Sequence, residues 1–173
     1  IPKHPFNSEY LGERLARLSL PDRELAWTIP VAELSVWDEN SILEEFLDWC
    51  FRAPTHLVSN EQALLAGRLL LWFCTSNHRA LRKRSTIAAI RLLVGQPEVV
   101  RELISEMHAI DDPYLIERLY AVAAGVAMRL PAGDGLSNLA EDVHTAVFAH
   151  EEITPNILIR DFSSNVLEAA LAK

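Results

Sequence analysis

Cysteine and glycine are both scarce in this chain. Its 173 residues include 2 cysteines and 6 glycines. A disulfide-stabilised secreted fold needs more cysteines than Cys50 and Cys74 provide, so we expect a reducing, cytoplasmic setting. Both cysteines lie among apolar residues and suit small core positions. The low glycine content, with abundant aliphatic residues and alanine, favours helices over a turn-rich sandwich or barrel.

Long apolar runs and strand patterns are also missing. The uncharged stretch at residues 119–128 lies between Arg118 and Arg129. It is about half as long as the ~20 residues that a membrane-spanning helix requires, so we expect no transmembrane segment and no membrane partner. No run of about four to eight residues alternates between apolar and polar side chains between hairpin turns. The sequence therefore predicts an all-α fold.

Known catalytic and nucleotide-binding motifs are absent as well. The sequence has no Gly-rich loop that ends in Gly-Lys-Ser or Gly-Lys-Thr, and no Gly-x-Ser-x-Gly turn. Cys74 and His78 are four residues apart, and Cys50 with His56 is a conceivable second pair, but neither has the spacing of a known zinc motif. We therefore expect that this segment is not an enzyme and has no catalytic, cofactor-binding or metal-binding residues.

The chain does contain a helical pattern that occurs three times, at residues 77–94, 112–129 and 155–173. Each copy opens on Asn, Asp or Pro and carries aliphatic side chains at helical spacing. Such helices bury their apolar faces by stacking on one another, although two amphipathic helices can also align by chance. The equivalent apolar positions, at offsets of 35 and 43 residues, are Leu81, Ile116 and Ile159, then Ala88, Ala123 and Val166, then Leu92, Ala127 and Ala170.

These patterns predict one domain over residues 1–173, built as a right-handed α-α superhelix of HEAT- or armadillo-like helix pairs. We expect about eight or nine helices, with residues 1–54 less regular and residues 55–173 forming the repeats. In the N-terminal part, Pro21 opens a helix that Pro30 is expected to interrupt. A further helix is predicted from Asp38 to Pro54, and Asn60 is the predicted cap of the next one.

The strongest polar cluster lies at the start of the first repeated pattern. Cations in the first turn oppose the helix dipole, so another interaction must favour them. One explanation is pairing with acidic residues of the adjoining repeat, and the net charge of -8 favours this reading. The other is a binding partner. The candidate partner-binding residues are His78, Arg79, Arg82, Lys83 and Arg84, and the candidate internal acids are Glu98, Glu102, Glu106 and Glu117.

Two short constellations raise the alternative of a helical enzyme. His108 precedes Asp111 and Asp112, and His144 follows Asp142. A histidine held by a carboxylate can act as a general base. A histidine near a helix end or on a solvated face explains each pattern more simply. An enzymatic role for His108 would require a pocket that gathers it with Asp111 or Asp112.

Three phrases resemble known helical repeat proteins. Residues 111–118, which begin Asp-Asp-Pro, resemble the second helix of a HEAT-type repeat, and residues 75–82 resemble a related helix start. Together with residues 157–161, they also resemble the C-terminal helical region of large bacterial STAND-type NTPases, including AVAST-like antiphage proteins. This resemblance covers roughly residues 64–171. It implies a sensor or scaffold region, with any NTPase activity in another domain of the parent protein.

The sequence thus predicts a non-catalytic scaffold or protein-recognition region of a larger bacterial protein. Its expected partner is another protein or another domain of the same chain. The alternative is a nucleic-acid-binding helical domain that uses the basic cluster at residues 79–84. The chain opens on Ile1 and Pro2, with neither an initiator methionine nor an apolar signal core, so we expect a fragment of a larger protein.

Overall fold

The chain folds into helices throughout the part that the structure describes. The structure is a computed structural model that describes residues 3–37, 41–150 and 154–173. Within these ranges there are nine separate helices and no strand, which confirms the predicted all-α class and helix number. A π-helical turn divides one of the nine into two segments, so the labels run to ten. The helices are α1 (Ser8–Ala16), α2 (Leu20–Arg23), α3 (Ile29–Trp37), α4 (Ile42–Arg52), α5 (Asn60–Phe73), α6 (Arg79–Leu93), α7 (Pro97–Met107), α8 (Pro113–Ala127), α9 (Asp134–Phe148) and α10 (Ile157–Leu171).

Helices α2 and α3 form one continuous helical segment, so the predicted interruption at Pro30 is wrong. A π-helical turn over Glu24–Thr28 joins them, and the amide of Ile29 donates to the carbonyl of Glu24, five residues earlier. A proline inside a regular α-helix loses one hydrogen bond and clashes with the carbonyl four residues back. Because the π turn is wider and shifts the bonding pattern just before Pro30, the chain continues as a helix through it.

Serine side chains cap two of the central helices. Ser41 caps α4, since its hydroxyl accepts a hydrogen bond from the third residue of that helix. Ser59, one residue before the predicted Asn60, caps α5 and forms a capping box with Gln62. The predicted helix start at Asp38 lies outside the described residues. The observed cap of α5 is one residue from the predicted one because Asn60, beside Ser59, is also a residue type that caps helices.

Helices α4 to α10 pack as two rows. Helices α4, α6, α8 and α10 are successive neighbours in one row, and α5, α7 and α9 are successive neighbours in the other. Consecutive helices α5 and α6, α7 and α8, and α9 and α10 also pack against each other across the rows. This is the neighbour pattern of stacked helix pairs. The right-handed superhelix and the HEAT-like classification stay predictions.

The three aligned helical patterns are α6, α8 and α10, and their predicted core positions face the interior. All are buried except Ala170, which is half-buried. Small residues also allow neighbouring helices to pack closely at Gly67 on α5 and Gly125 on α8. A Cβ on Gly125 would lie 2.7 Å from Cγ1 of Ile90, and one on Gly67 would lie 3.0 Å from Leu103. Both glycines therefore have a steric reason to lie inside helices.

A buried arginine attaches the N-terminal helices to the two rows. Arg23, at the end of α2, is 2% exposed. Its Nε donates to the carbonyl of Leu15 at 3.0 Å, and Nη2 donates to that of Leu18 at 3.0 Å. Nη1 donates to the carbonyl of Asp111 at 3.1 Å and to Oδ2 of Asp112 at 3.0 Å. One guanidinium therefore joins α1 and α2 to the start of α8.

Candidate functional site

The basic cluster lies at the N-terminal end of α6, and the structure divides its members. Arg84 points toward α4, where Nη1 lies 2.7 Å from Oε1 and 2.6 Å from Oε2 of Glu44. Its Nη2 also lies 4.0 Å from Oδ1 of Asp48. Glu44 is mostly buried, so this pair is shielded from solvent more than an ordinary surface salt bridge. Arg84 therefore contributes to helix packing within the row.

Three of the four acids predicted to neutralise the cluster pair with other groups, and Glu102 pairs with none of the cluster's cations. Glu98, Glu102 and Glu106 lie on α7, which belongs to the row that does not contain α4 and α6. Sequence adjacency suggested them because α7 follows α6, but the acids that meet Arg84 come from α4, earlier in the chain. The observed contacts join Glu98 to Arg101 at 2.9 Å, Glu106 to Arg68 at 2.7 Å and Glu117 to Asn156 at 2.8 Å.

Arg82 lies against an aromatic side chain of the next helix in the row. Its Nη1 donates to the carbonyl of Ser76 at 2.7 Å, which fixes the guanidinium beside the loop before α6. The guanidinium carbon lies 5.9 Å from the ring centre of Tyr114, the second residue of α8. This distance is within the range of a cation-π contact. Because Tyr114 is 53% exposed, arginine and ring form a surface that a partner can contact.

Arg79 and Lys83 are exposed on the same face of α6, one turn apart. Neither makes an ion pair or hydrogen bond with a residue in the described ranges. His78 is half-buried at the N-cap position, where its backbone amide donates to Oγ of Ser76 at 3.1 Å. We define the basic patch as His78, Arg79, Arg82, Lys83 and Tyr114. Of the sequence candidates, Arg84 is excluded from the patch because it faces α4.

A second candidate site is a cavity where α7 and α9 end and α8 and α10 begin. Its volume is about 460 Å³. Apolar side chains form much of the wall, including those of Ile116 and Val147. His108, Asp111 and Asp112 all line it, so the structure provides the pocket that an enzymatic reading of these residues requires.

The hydrogen bonding inside this cavity does not form the predicted His108 dyad. Nδ1 of His108 lies 2.7 Å from the hydroxyl of Tyr120. Tyr120 is buried, and burial raises its pKa, so the phenol keeps its proton. Its hydroxyl has no other acceptor within the described chain, so donation to Nδ1 satisfies it and leaves the histidine proton on Nε2. Burial, and to a smaller extent His150, lowers the pKa of His108, which favours this neutral imidazole.

Neither aspartate orients His108. Asp112 is 4% exposed, and both of its oxygens have structural partners. Oδ1 accepts from the amide of Leu115 at 3.1 Å and so caps α8, while Oδ2 pairs with Arg23. Asp111 is exposed and makes no hydrogen bond to His108. Within the described residues, His108 therefore pairs with Tyr120 and with neither aspartate.

The other candidate groups, Asp142 with His144 and the two cysteines with nearby histidines, do not form functional sites among the described residues either. Asp142 accepts from Nε of Arg101 at 2.6 Å, so it does not hold the exposed His144. Helix α5 ends at Phe73, so Cys74 and His78 do not share a helix face. Burial raises the pKa of Cys74 to about 11 and that of Cys50 to about 12. Among the residues that the structure describes, no three His, Cys, Asp or Glu side chains gather as a metal site.

Similarity to known proteins adds no further constraint. No protein-family model, curated protein or solved structure matches the chain. The resemblance to HEAT repeats and to STAND-type NTPases therefore stays a prediction. Over the described ranges, no helix has both the length and the apolar character needed to cross a bilayer.

Sequence reasoning missed Tyr114 and Tyr120. A weak signal was present for Tyr114, since it follows the Asp-Pro helix start where a side chain is commonly exposed. Tyr120 lies two turns later on α8, in an apolar stretch that predicts only core packing. Its contact with His108 joins α8 to the C-terminal end of α7. That contact depends on how the two helices pack.

Proposed function

We propose that this chain is a non-catalytic helical scaffold whose basic patch recognises an acidic segment of a partner protein or of another domain of the same protein. The observation that carries this proposal is the exposed pair Arg79 and Lys83 beside the Arg82–Tyr114 contact. Arginine and tyrosine are enriched at protein interfaces, where they contribute much of the binding free energy. The reducing cytoplasm of a bacterium is the proposed setting, because two free cysteines are buried in the core.

Electrostatics supports an acidic partner over a neutral one. Arg79 and Lys83 lie in the first and second turns of α6, where the helix dipole is also positive. A carboxylate placed over this end would interact favourably with both side chains and with the free amides of the helix. Charged groups at the edge of an interface mainly steer association, whereas Arg82 and Tyr114 offer apolar area at its centre.

The test uses charge reversal. The double variant Arg79→Glu/Lys83→Glu should bind a glutamate-rich peptide about 2- to 30-fold more weakly, since exposed ion pairs contribute about 0.2 to 1 kcal/mol each. Its unfolding midpoint should not fall, because neither side chain makes an ion pair or hydrogen bond with a described residue and a glutamate in the first turn of α6 interacts favourably with the helix dipole. Fluorescence anisotropy of a labelled peptide gives the affinity, and urea titration gives the stability.

Two further variants separate binding from folding. Arg160→Glu is the matched control for each single variant, Arg79→Glu and Lys83→Glu, because Arg160 is also exposed and lies in the first turn of α10. It should leave peptide affinity unchanged. Arg84→Glu should lower the unfolding midpoint, since the new carboxylate would face Glu44. Equal weakening by Arg160→Glu, or no peptide binding by the parent protein, would refute the proposal.

The same assay distinguishes a nucleic-acid partner. A duplex DNA probe that outcompetes the acidic peptide, with affinity falling steeply as salt rises, would replace the protein-recognition proposal. The proposed parent is a larger bacterial protein of the STAND type, in which this region senses a partner for a separate NTPase domain. A P-loop domain encoded upstream of this segment would support the proposal of a STAND-type parent protein. A gene that encodes no such domain would contradict that proposal.

A further inference from the structure

A cationic depression lies at the opposite end of α6 from the basic patch. Its volume is about 690 Å³, and it is bounded by the C-terminal ends of α4, α6 and α8. Arg52 on α4, Arg91 on α6 and Arg129, two residues after the end of α8, line its wall, and His56 adds a fourth basic side chain. Arg79 and Arg91 are twelve residues apart on α6, so roughly 18 Å of helix separates the two surfaces.

We propose that this depression binds a small multivalent oxyanion, either a phosphate-bearing molecule or a polycarboxylate. Arg91 makes no ion pair or hydrogen bond with a described residue, so its guanidinium is available. Nη1 of Arg129 donates to the carbonyl of Gly125 at 2.7 Å, which orients its side chain. Arg52 pairs with Asp48 at 2.9 Å, and that carboxylate does not line the depression.

The convergence of like charges carries the inference. Arg52, Arg91 and Arg129 are far apart in sequence, yet all three line one depression in a protein of net charge -8. A basic residue near its own helix C-terminus interacts favourably with the helix dipole, which accounts for each arginine singly. That interaction does not require the three to share a cavity. A bound anion accounts for their shared position, because it attracts each guanidinium.

The surroundings suit recognition of clustered oxygens. A guanidinium presents a planar fork that donates two hydrogen bonds to a phosphate or carboxylate. The rest of the wall is largely apolar and includes Ile87, Ile90 and Val94. Among the described residues no carboxylate lines the depression. Its volume is within the usual range for small-molecule sites.

The inference does not depend on the proposed protein-recognition role. Isothermal titration calorimetry with inorganic pyrophosphate, and separately with citrate, measures binding to the whole chain. We expect one site per chain and at least about tenfold weaker binding by Arg91→Gln, as expected for loss of a charge-assisted hydrogen bond. The tighter of the two probes identifies phosphate or carboxylate as the natural group.

Two controls make the result decisive. Arg160→Gln removes the same charge from an exposed position on α10 and should change affinity less than about twofold. Arg129→Gln should also weaken binding, which gives a second test if Arg91→Gln alters folding in circular dichroism. Binding of neither probe at several millimolar, or equal weakening by Arg160→Gln, would overturn the proposal, because the charge would then act only diffusely.

Discussion

Replacing Asp112 with asparagine should destabilise this protein far more than the same change at a surface aspartate. Asp112 and Arg23 are 4% and 2% exposed, and their ion-pair distance is 3.0 Å. Asparagine is nearly the same size and also caps helices well, so it retains the bond to the amide of Leu115. The substitution therefore removes mainly the negative charge that faces a buried guanidinium.

The expected loss is about 3 kcal/mol. Removing one partner of a buried pair typically costs about 3 to 5 kcal/mol, because the other charge is left without compensation. Here Arg23 keeps three backbone carbonyl acceptors, from Leu15, Leu18 and Asp111, which places the cost near the lower end. With a urea dependence of about 2 kcal/mol per molar, the unfolding midpoint should fall by about 1.5 M.

Urea unfolding followed by circular dichroism measures this change, and Asp48→Asn is the control. Asp48 pairs with Arg52 at 2.9 Å, but both side chains are at least half exposed. Its loss should cost less than about 1 kcal/mol. The double variant Arg23→Met/Asp112→Asn should recover part of the stability by removing the buried charge. If Asp112→Asn and Asp48→Asn destabilise the protein equally, the assignment of Arg23 as the link between the N-terminal helices and α8 is wrong.

Two further predictions follow from buried ionisable groups. Because burial raises the pKa of Cys50 and Cys74 to about 12 and about 11, neither thiol should react with an aromatic disulfide reagent near pH 8 until urea is added. Fast reaction of the native protein would contradict their placement in the core. The folded-state pKa of His108 is lowered from 6.5, so the unfolded chain binds more protons below that value. The contribution of His108 to the free energy of unfolding should therefore be present above about pH 6.5 and be lost as the pH falls. In His108→Gln, the unfolding midpoint should accordingly decline less between about pH 7.5 and about pH 5.5 than in the parent protein. If the unfolding midpoint of this variant declines as much as that of the parent protein, His108 does not contribute to the pH dependence of stability.

The buried faces of α6, α8 and α10 could be predicted because the signal for each lies within its own helix. Apolar positions such as Leu81, Ile116 and Ile159 recur at helical spacing, and burial of that face follows for any amphipathic helix. The cap at Asp112 could be predicted for the same reason, since capping involves neighbours in sequence. The helix through Pro30 could not, because a π turn five residues wide has no distinct sequence signature.

The candidate sites show where local reasoning stops. Four cations at the start of α6 are visible in the sequence, but only packing shows that Arg84 turns to Glu44 while Arg79 and Lys83 stay exposed. The acids of α7 are closer in sequence to this cluster than Glu44 is. They were wrong as partners because α4, not α7, lies beside α6 in its row. A spacing along the chain cannot specify which helix becomes the neighbour.

The sequence by itself determined the all-α class, the helix number and the buried faces, because these depend on periodicity and capping within about four residues. It also supplied the excess of cations at the start of α6. The tertiary structure alone decided that Arg23 meets Asp112 and that Tyr120 holds His108. It also brought Arg52, Arg91 and Arg129 to one depression. Each of these arrangements joins residues from distant parts of the chain, so it exists only once the helices have packed.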